Sequence, residues 1–179
     1  MTTIERRWFR PSLMVFTDSQ PTPTTASIGT WNIGAVAGTD YIFVTDDGRN
    51  EIQLDCDRIE YKKRMINGRM RSYHVADKMK FSVSWDRLPS NKSYISEVKN
   101  NTSAAWAAGK ELLEWYKNHN DSFYLMLVYD TPDPEGTGSI PLKYKIETYN
   151  VFFENFSYNI IQRGSLFDTW NLSLSLVEA

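Results

Sequence analysis

Asp168-Thr169-Trp170-Asn171-Leu172-Ser173-Leu174-Ser175-Leu176 decides the fold class of this 179-residue chain. From Trp170 to Leu176 every second residue is large and apolar, while Asn171, Ser173 and Ser175 between them are polar. A period of two places alternate side chains on opposite sides of an extended backbone, so the segment reads as a strand with one buried face. Upstream, the run Val151-Phe152-Phe153-Glu154-Asn155-Phe156-Ser157-Tyr158-Asn159-Ile160-Ile161 reads as further strand material that enters a turn at Gly164.

Composition agrees with a folded, β-rich domain. Hydrophobic residues make up 41% of the chain and charged residues 23%, which is ordinary for a globular protein. The aromatic fraction of 14% is high, with many rings at alternating positions, and this favours sheet. The chain is long enough to bury a core without staples and reads as one domain, residues 1–179. A formal net charge of -2 argues against a dedicated nucleic-acid binder, so any basic patch must be local. The single cysteine, Cys56, cannot form an internal disulfide. No run approaches the roughly 18 apolar residues of a membrane span, and Met1 to Arg7 lead into no signal-like segment. The expectation is a protein made in a cytoplasm and kept there, or released from it by lysis.

Outside the C-terminal strands the elements are punctuated by turn residues. Pro11, Pro21 and Pro23 among Ser and Thr mark residues 1–25 as an extended N-terminal arm carrying the apolar patch Leu13-Met14-Val15-Phe16. Trp31 to Val36 and Tyr41 to Thr45 read as short strands, with Asp46-Asp47-Gly48 as a turn. Thr102 to Asn118 is the one strong helical pattern, capped somewhere within Asn100 to Ser103 and closed at Asn118-His119-Asn120. Ala105, Ala108, Leu112, Trp115 and Tyr116 share its apolar face, leaving Lys110, Glu111 and Glu114 to solvent. Phe123 to Tyr129 is an apolar strand, followed by a Pro/Gly loop from Thr131 to Pro141. The fold class is therefore α+β and β-dominated, with one flanking helix.

Residues 51–86 read as a long hairpin. Asn67-Gly68 is the expected centre of a type I′ turn, which needs positive φ at both residues. That turn sets Leu54 opposite Phe81 and Cys56 opposite Met79 on an apolar face, with Asp55 opposite Lys80 and Asp57 opposite Lys78 on the other. Nearer the tip the apolar parity changes: Ile59 faces Ala76, Tyr61 faces His74 and Met65 faces Met70, so a strong twist or bulge near Arg58 is expected. Each arm would run roughly 50 Å at about 3.3 Å per residue, and part of it must leave the domain. The same register sets Arg64 opposite Arg71, with Lys62, Lys63 and Arg69 close by. Like charges directly opposed repel. The tip is then a solvated loop, an arm that docks on an acidic surface of a neighbouring subunit, or a contact for nucleic-acid phosphate.

Catalytic patterns are weak. His74 and His119 are the only imidazoles, neither lies near Cys56 or a GxSxG-like serine in sequence, and His74 is expected to be buried beside Tyr61. Asp130, Asp133 and Glu135 offer oxygen atoms without the spacing of a calcium loop. No cofactor, metal site or catalytic residue is expected. Trp31, Trp85, Trp106, Trp115 and Trp170 read as core. Trp8, beside Arg6, Arg7 and Arg10, reads instead as an exposed anchor, with Trp8 and Arg10 packing on a partner.

Phe153-Glu154-Asn155-Phe156-Ser157, then Arg163-Gly164, then the alternation from Asp168 through Glu178-Ala179, resembles the closing strands of bacteriophage tail-tube-type structural proteins. The resemblance covers the chain from about Ile33 onward. It implies a tail-tube-like β-sandwich or barrel, a non-enzymatic role in forming or capping a hexameric tube through which DNA passes, and residence in the virion after assembly in the host cytoplasm. The implied partners are copies of the chain and neighbouring tail proteins, with DNA only transient in the lumen and no membrane. In such proteins a long hairpin reaches the adjacent ring, which here points to Lys62, Lys63, Arg64, Asn67, Gly68, Arg69 and Arg71 as contact residues. The proline-bearing N-terminal arm departs from a standard tube subunit and leaves a tube-initiating or baseplate role open. The alternative from another class is a free binding module that uses the basic hairpin on nucleic acid or another acidic partner.

Overall fold

Among the described residues every long strand joins one mixed sheet of eight strands. The computed structural model describes residues 11–23, 31–96, 98, 105–132 and 142–179. In chain order the strands are β1 (Pro11–Thr17), β2 (Thr22–Pro23), β3 (Trp31–Asn32), β4 (Tyr41–Val44), β5 (Gln53–Arg64), β6 (Met70–Pro89) and β7 (Trp106–Ala107), followed by β8 (Phe123–Pro132), β9 (Leu142–Gln162) and β10 (Thr169–Glu178). Helix α1 (Gly109–Asn118) lies between β7 and β8. The sheet runs β5-β6-β10-β9-β8-β1-β4-β7, antiparallel throughout except where β4 and β7 pair in parallel, and β2 and β3 form a separate ribbon. The architecture is α+β with strands dominant.

The alternation in β10 orders the core. Trp170, Leu172, Leu174 and Leu176 are all buried, and the three leucines join Phe81, Val83, Trp85 and Leu88 of β6 with Met14, Phe16, Ile42, Val44 and Phe123 from the far side of the sheet. Five lateral steps separate β6 from β4. In a flat sheet that is about 24 Å, at roughly 4.8 Å per step. Yet Trp85 Nε1 donates a 2.9 Å hydrogen bond to the carbonyl of Thr45, the residue after β4. The sheet therefore curls until its two sides meet across the core, and Leu112 and Trp115 of α1 fill the space between them.

The first apolar patch is a strand and not part of an arm. Pro11–Thr17 lies in the interior of the sheet between β4 and β8. Its run of consecutive apolar residues follows from burial on both sides: Met14 and Phe16 enter the main core, while Val15 enters a second cluster with Met126 and Val128 on the opposite face. Pro11 opens the strand, where a missing N–H does least harm. Of the rest of the arm, residues 18–23 are described and include β2, while 1–10 and 24–25 lie outside the described residues.

The helix begins later than its periodicity implies. Thr102 and Ser103 lie outside the described residues, Trp106 and Ala107 pair with Phe43 and Val44 as β7, and the helix starts at Gly109. Its N-terminal boundary is set by Glu111, whose carboxylate accepts the Ala108 N–H at 3.1 Å. Ala105, Ala108, Leu112 and Trp115 are buried as the apolar face requires, and Tyr116 lies at its exposed margin, stacked on Phe156. Ser96 and Val98 are also helical, at the edge of an undescribed segment. Trp106 is half-buried, against Phe43.

Ser90 ties three elements together: its carbonyl accepts from Lys110 N–H, its N–H donates to the Asp168 carbonyl, and its hydroxyl accepts from Asp168 N–H. This draws the helix start onto Trp170. A Cβ at Gly109 would lie 2.7 Å from Trp170 Cε3, inside van der Waals contact. Gly109→Ala should therefore destabilise the fold by about 1–3 kcal/mol through overpacking, although helix propensity alone favours alanine by about 1 kcal/mol. Thermal or denaturant unfolding reads the sign, and a gain in stability would contradict this packing.

Candidate interaction surface

The hairpin is built from two unequal halves. At its base, Leu54 pairs with Phe81, Asp55 with Lys80, Cys56 with Met79 and Asp57 with Lys78, as the sequence register requires. Glu178 secures this half, its carboxylate accepting the Met79 N–H at 2.9 Å, and the Lys78 ammonium donates to the Ala179 carbonyl. Beyond Asp57, the seven residues Arg58 to Arg64 and their partners on β6 leave the body of the sheet. That ribbon is about 23 Å long at roughly 3.3 Å per residue.

The turn differs from the expected type. Met65 carbonyl accepts the Gly68 N–H at 2.9 Å, and Met65 N–H donates to the Arg69 carbonyl at 2.8 Å. Ile66 and Asn67 are thus the central turn residues. Gly68 alone takes positive φ, 77°, as the one-residue bulge that closes such a turn. Asn67 remains essential to the geometry, since its side-chain oxygen accepts the Arg69 N–H at 3.1 Å. This shifts the tip by one residue, and an extra residue, Val75, inserted in β6 opposite Ile59 and Glu60 shifts it back.

Between the two bulges every expected pair is displaced by one. Arg64 faces Met70 instead of Arg71, Tyr61 faces Tyr73 instead of His74, and His74 faces Glu60. His74 is half-exposed and its Nε2 lies 2.9 Å from Asp77 Oδ1, so it is not a buried partner of Tyr61. The directly opposed like charges are Lys63 and Arg71.

The two faces of the ribbon have different chemistry. One carries a polar network: Arg58 Nε donates to Asp77 at 3.2 Å, Ser72 hydroxyl donates to Glu60 at 2.6 Å, and Lys62 forms an ion pair with Glu60. Hydrogen bonding from Lys62 first, then Ser72, holds the Glu60 carboxyl below its ordinary 4.5, and the hydrogen bond to His74 leads the causes that lower Asp77 from 3.8. The other face exposes a hydrophobic stripe, with Ile59 at 47%, Tyr61 at 59%, Tyr73 at 52% and Val75 at 71% of full accessibility. Sequence reasoning missed this stripe, although the parity break near Arg58 was its signal.

Of the cations singled out, Lys62 is held by Glu60. Lys63, Arg64, Arg69 and Arg71 are exposed and form no ion pair among the described residues. The tip is thus a basic, partly apolar knob with Ile66 fully exposed at its end. Trp8 and Arg10 lie outside the described residues, as do Asp133 and Glu135. Cys56 is exposed. His119, at the end of α1, stacks on Trp115 and bonds Asp18 through Nε2. Among the described residues no three His, Cys, Asp or Glu side chains group in a way that suits a metal ion. No family model matches the chain, and no curated protein matches it.

The carboxylate network dictates how the hairpin responds to acid. Glu60 and Asp77 have lowered values in the folded chain, so the ionised forms contribute stability above the ordinary carboxylate range, and that contribution is lost as pH falls through the lowered values. Asp77 is exposed and Glu60 partly exposed, so the effect is local and small. Amide hydrogen exchange should show protection at Tyr61 and Tyr73, whose N–H groups pair across the ribbon, falling below about pH 4 while Leu172 and Leu174 stay protected. Simultaneous loss in ribbon and core would show that the network is not an independent unit.

Proposed function

We propose that this chain is a non-enzymatic structural subunit of the bacteriophage tail-tube type, in which the hairpin is the arm that grips a neighbouring copy or tail component. The observation that carries the reading is the ribbon itself, exposed on both faces and ending in four cations that form no ion pair among the described residues. A two-stranded ribbon is marginal alone in water, and exposed aromatic and aliphatic side chains in a contiguous stripe mark surfaces made to be covered. A basic tip adds attraction to an acidic neighbour and selects orientation. The resemblance in the C-terminal strands supplies the rest of the reading: a hexameric ring, stacked or capping a tube, with DNA in its lumen and a place in the virion tail.

The experiment combines Arg69→Ser with Arg71→Ser. Because Arg71 opposes Lys63 across the ribbon, the double variant should keep its melting temperature or gain slightly, while assembly followed by sedimentation and negative-stain imaging weakens. Early melting with normal assembly would make the tip an internal structural element and overturn the reading. A wild-type chain that remains monomeric and binds DNA with an affinity falling steeply with salt would favour the free binding module instead.

A further inference from the structure

We propose that the outer edge of β5 pairs antiparallel with β5 of a second copy, on a two-fold axis through Ile59. No described strand lies outside β5, which ends the sheet. An edge strand leaves half of its backbone donors and acceptors free, and proteins guard such edges with proline, with bulges in the edge strand or with charge. β5 contains no proline, and the irregularity of the hairpin sits in β6, at Val75, so β5 stays regular from Gln53 to Arg64. Charge is the remaining guard, and it is distributed in a self-complementary way.

Backbone direction restricts the possible registers. Met65 N–H bonds to Arg69 across the turn. Lys63, Tyr61 and Ile59 therefore direct their backbone groups towards β6, while Lys62, Glu60 and Arg58 direct theirs outward. Two outward sets can bond to each other only if outward residues pair with outward residues. Centring on Ile59 satisfies this: Arg58 meets Glu60 of the second copy, Cys56 meets Lys62, and Leu54 meets Arg64. The intervening positions then set Asp55 opposite Lys63 of the second copy and Asp57 opposite Tyr61, with Ile59 against its own equivalent.

Each ion pair occurs twice, once on either side of the axis. Shifting the centre to Arg58 places that residue against itself, and shifting it to Glu60 sets Arg58 against Lys62, so like charges disfavour both alternatives. In the favoured register Asp55 reaches the Lys63 that its own hairpin leaves opposed to Arg71. The exposed stripes of the two copies, Ile59, Tyr61 and Tyr73, merge into one apolar patch across the axis. This pairing does not depend on the tail reading. It concerns the free chain in solution, and a chain that never forms rings would still make it.

The test is a disulfide scan of the full chain carrying Cys56→Ser. Ile59→Cys would bring two thiols together at the non-hydrogen-bonded position on the axis, where Cα atoms lie about 4.5 Å apart, within the range a disulfide spans. Under oxidised glutathione this variant should run as a covalent dimer. Tyr61→Cys, facing Asp57 of the other copy, should link at least about tenfold more slowly. Asp55→Lys and Lys63→Asp should each weaken dimerisation in sedimentation by about tenfold, and the double reversal should restore it. Equal linking at Ile59 and Tyr61, a strictly monomeric wild type, or a double reversal no better than either single change would overturn the proposal. None of these readouts requires ring assembly, so failure here and failure of the tail reading are separable.

Discussion

The hydrogen bond from Trp85 to the Thr45 carbonyl expresses the constraint on which the rest of the molecule depends: a sheet this wide must curl to enclose one core. Trp85, Phe81 and Val83 from β6 and Val44 and Ile42 from β4 belong to the same buried cluster, which is possible only after closure. Once β6 is committed to that role from about Lys80 to Pro89, its remaining length has nowhere to go within the domain. β6 runs for 20 residues beside a β10 of 10. The excess of β6, paired with β5, is the ribbon. Protrusion is thus the geometric remainder of a strand that is longer than its inner neighbour.

The parts of this arrangement legible in the sequence are those where one face is buried and the other wet. β10 shows that pattern from Trp170 to Leu176 and was readable outright. β1 was not, because Met14, Val15 and Phe16 are buried on two sides and so lack alternation; short apolar runs among prolines resemble linkers when only periodicity is consulted. The helix start was obscured for a related reason. Trp106 and Ala107 fit a helical face as well as they fit the parallel bridge to β4, and only the tertiary contact decides.

The hairpin shows how two local departures can hide each other. A turn centred on Ile66 and Asn67 with Gly68 as a bulge displaces the register by one residue, and Val75 displaces it back. The base pairs inferred from an Asn-Gly turn are therefore right, although the turn that implied them has another form. Between the two departures the inference fails, and this is the segment that carries the exposed stripe. The signal was the change of parity near Arg58, which a single regular ladder could not absorb. A like-charge opposition survives the correction with Lys63 in place of Arg64, because neighbouring positions on β5 are both basic.

The two faces and the edge of the ribbon use different groups, and this bears on how many contacts it can make at once. The polar face is internally satisfied by Arg58, Asp77, Glu60, Ser72 and Lys62, so little is gained by burying it. The apolar face offers Tyr61, Tyr73 and Val75 side chains, and the tip offers Arg64, Arg69 and Arg71. The edge offers only the backbone of Arg58, Glu60 and Lys62, with side chains directed to the faces on either side. A partner lying on the apolar face leaves the edge open, and a strand added at the edge widens that face. The proposed edge pairing and the proposed face docking would therefore reinforce each other instead of competing for the same groups.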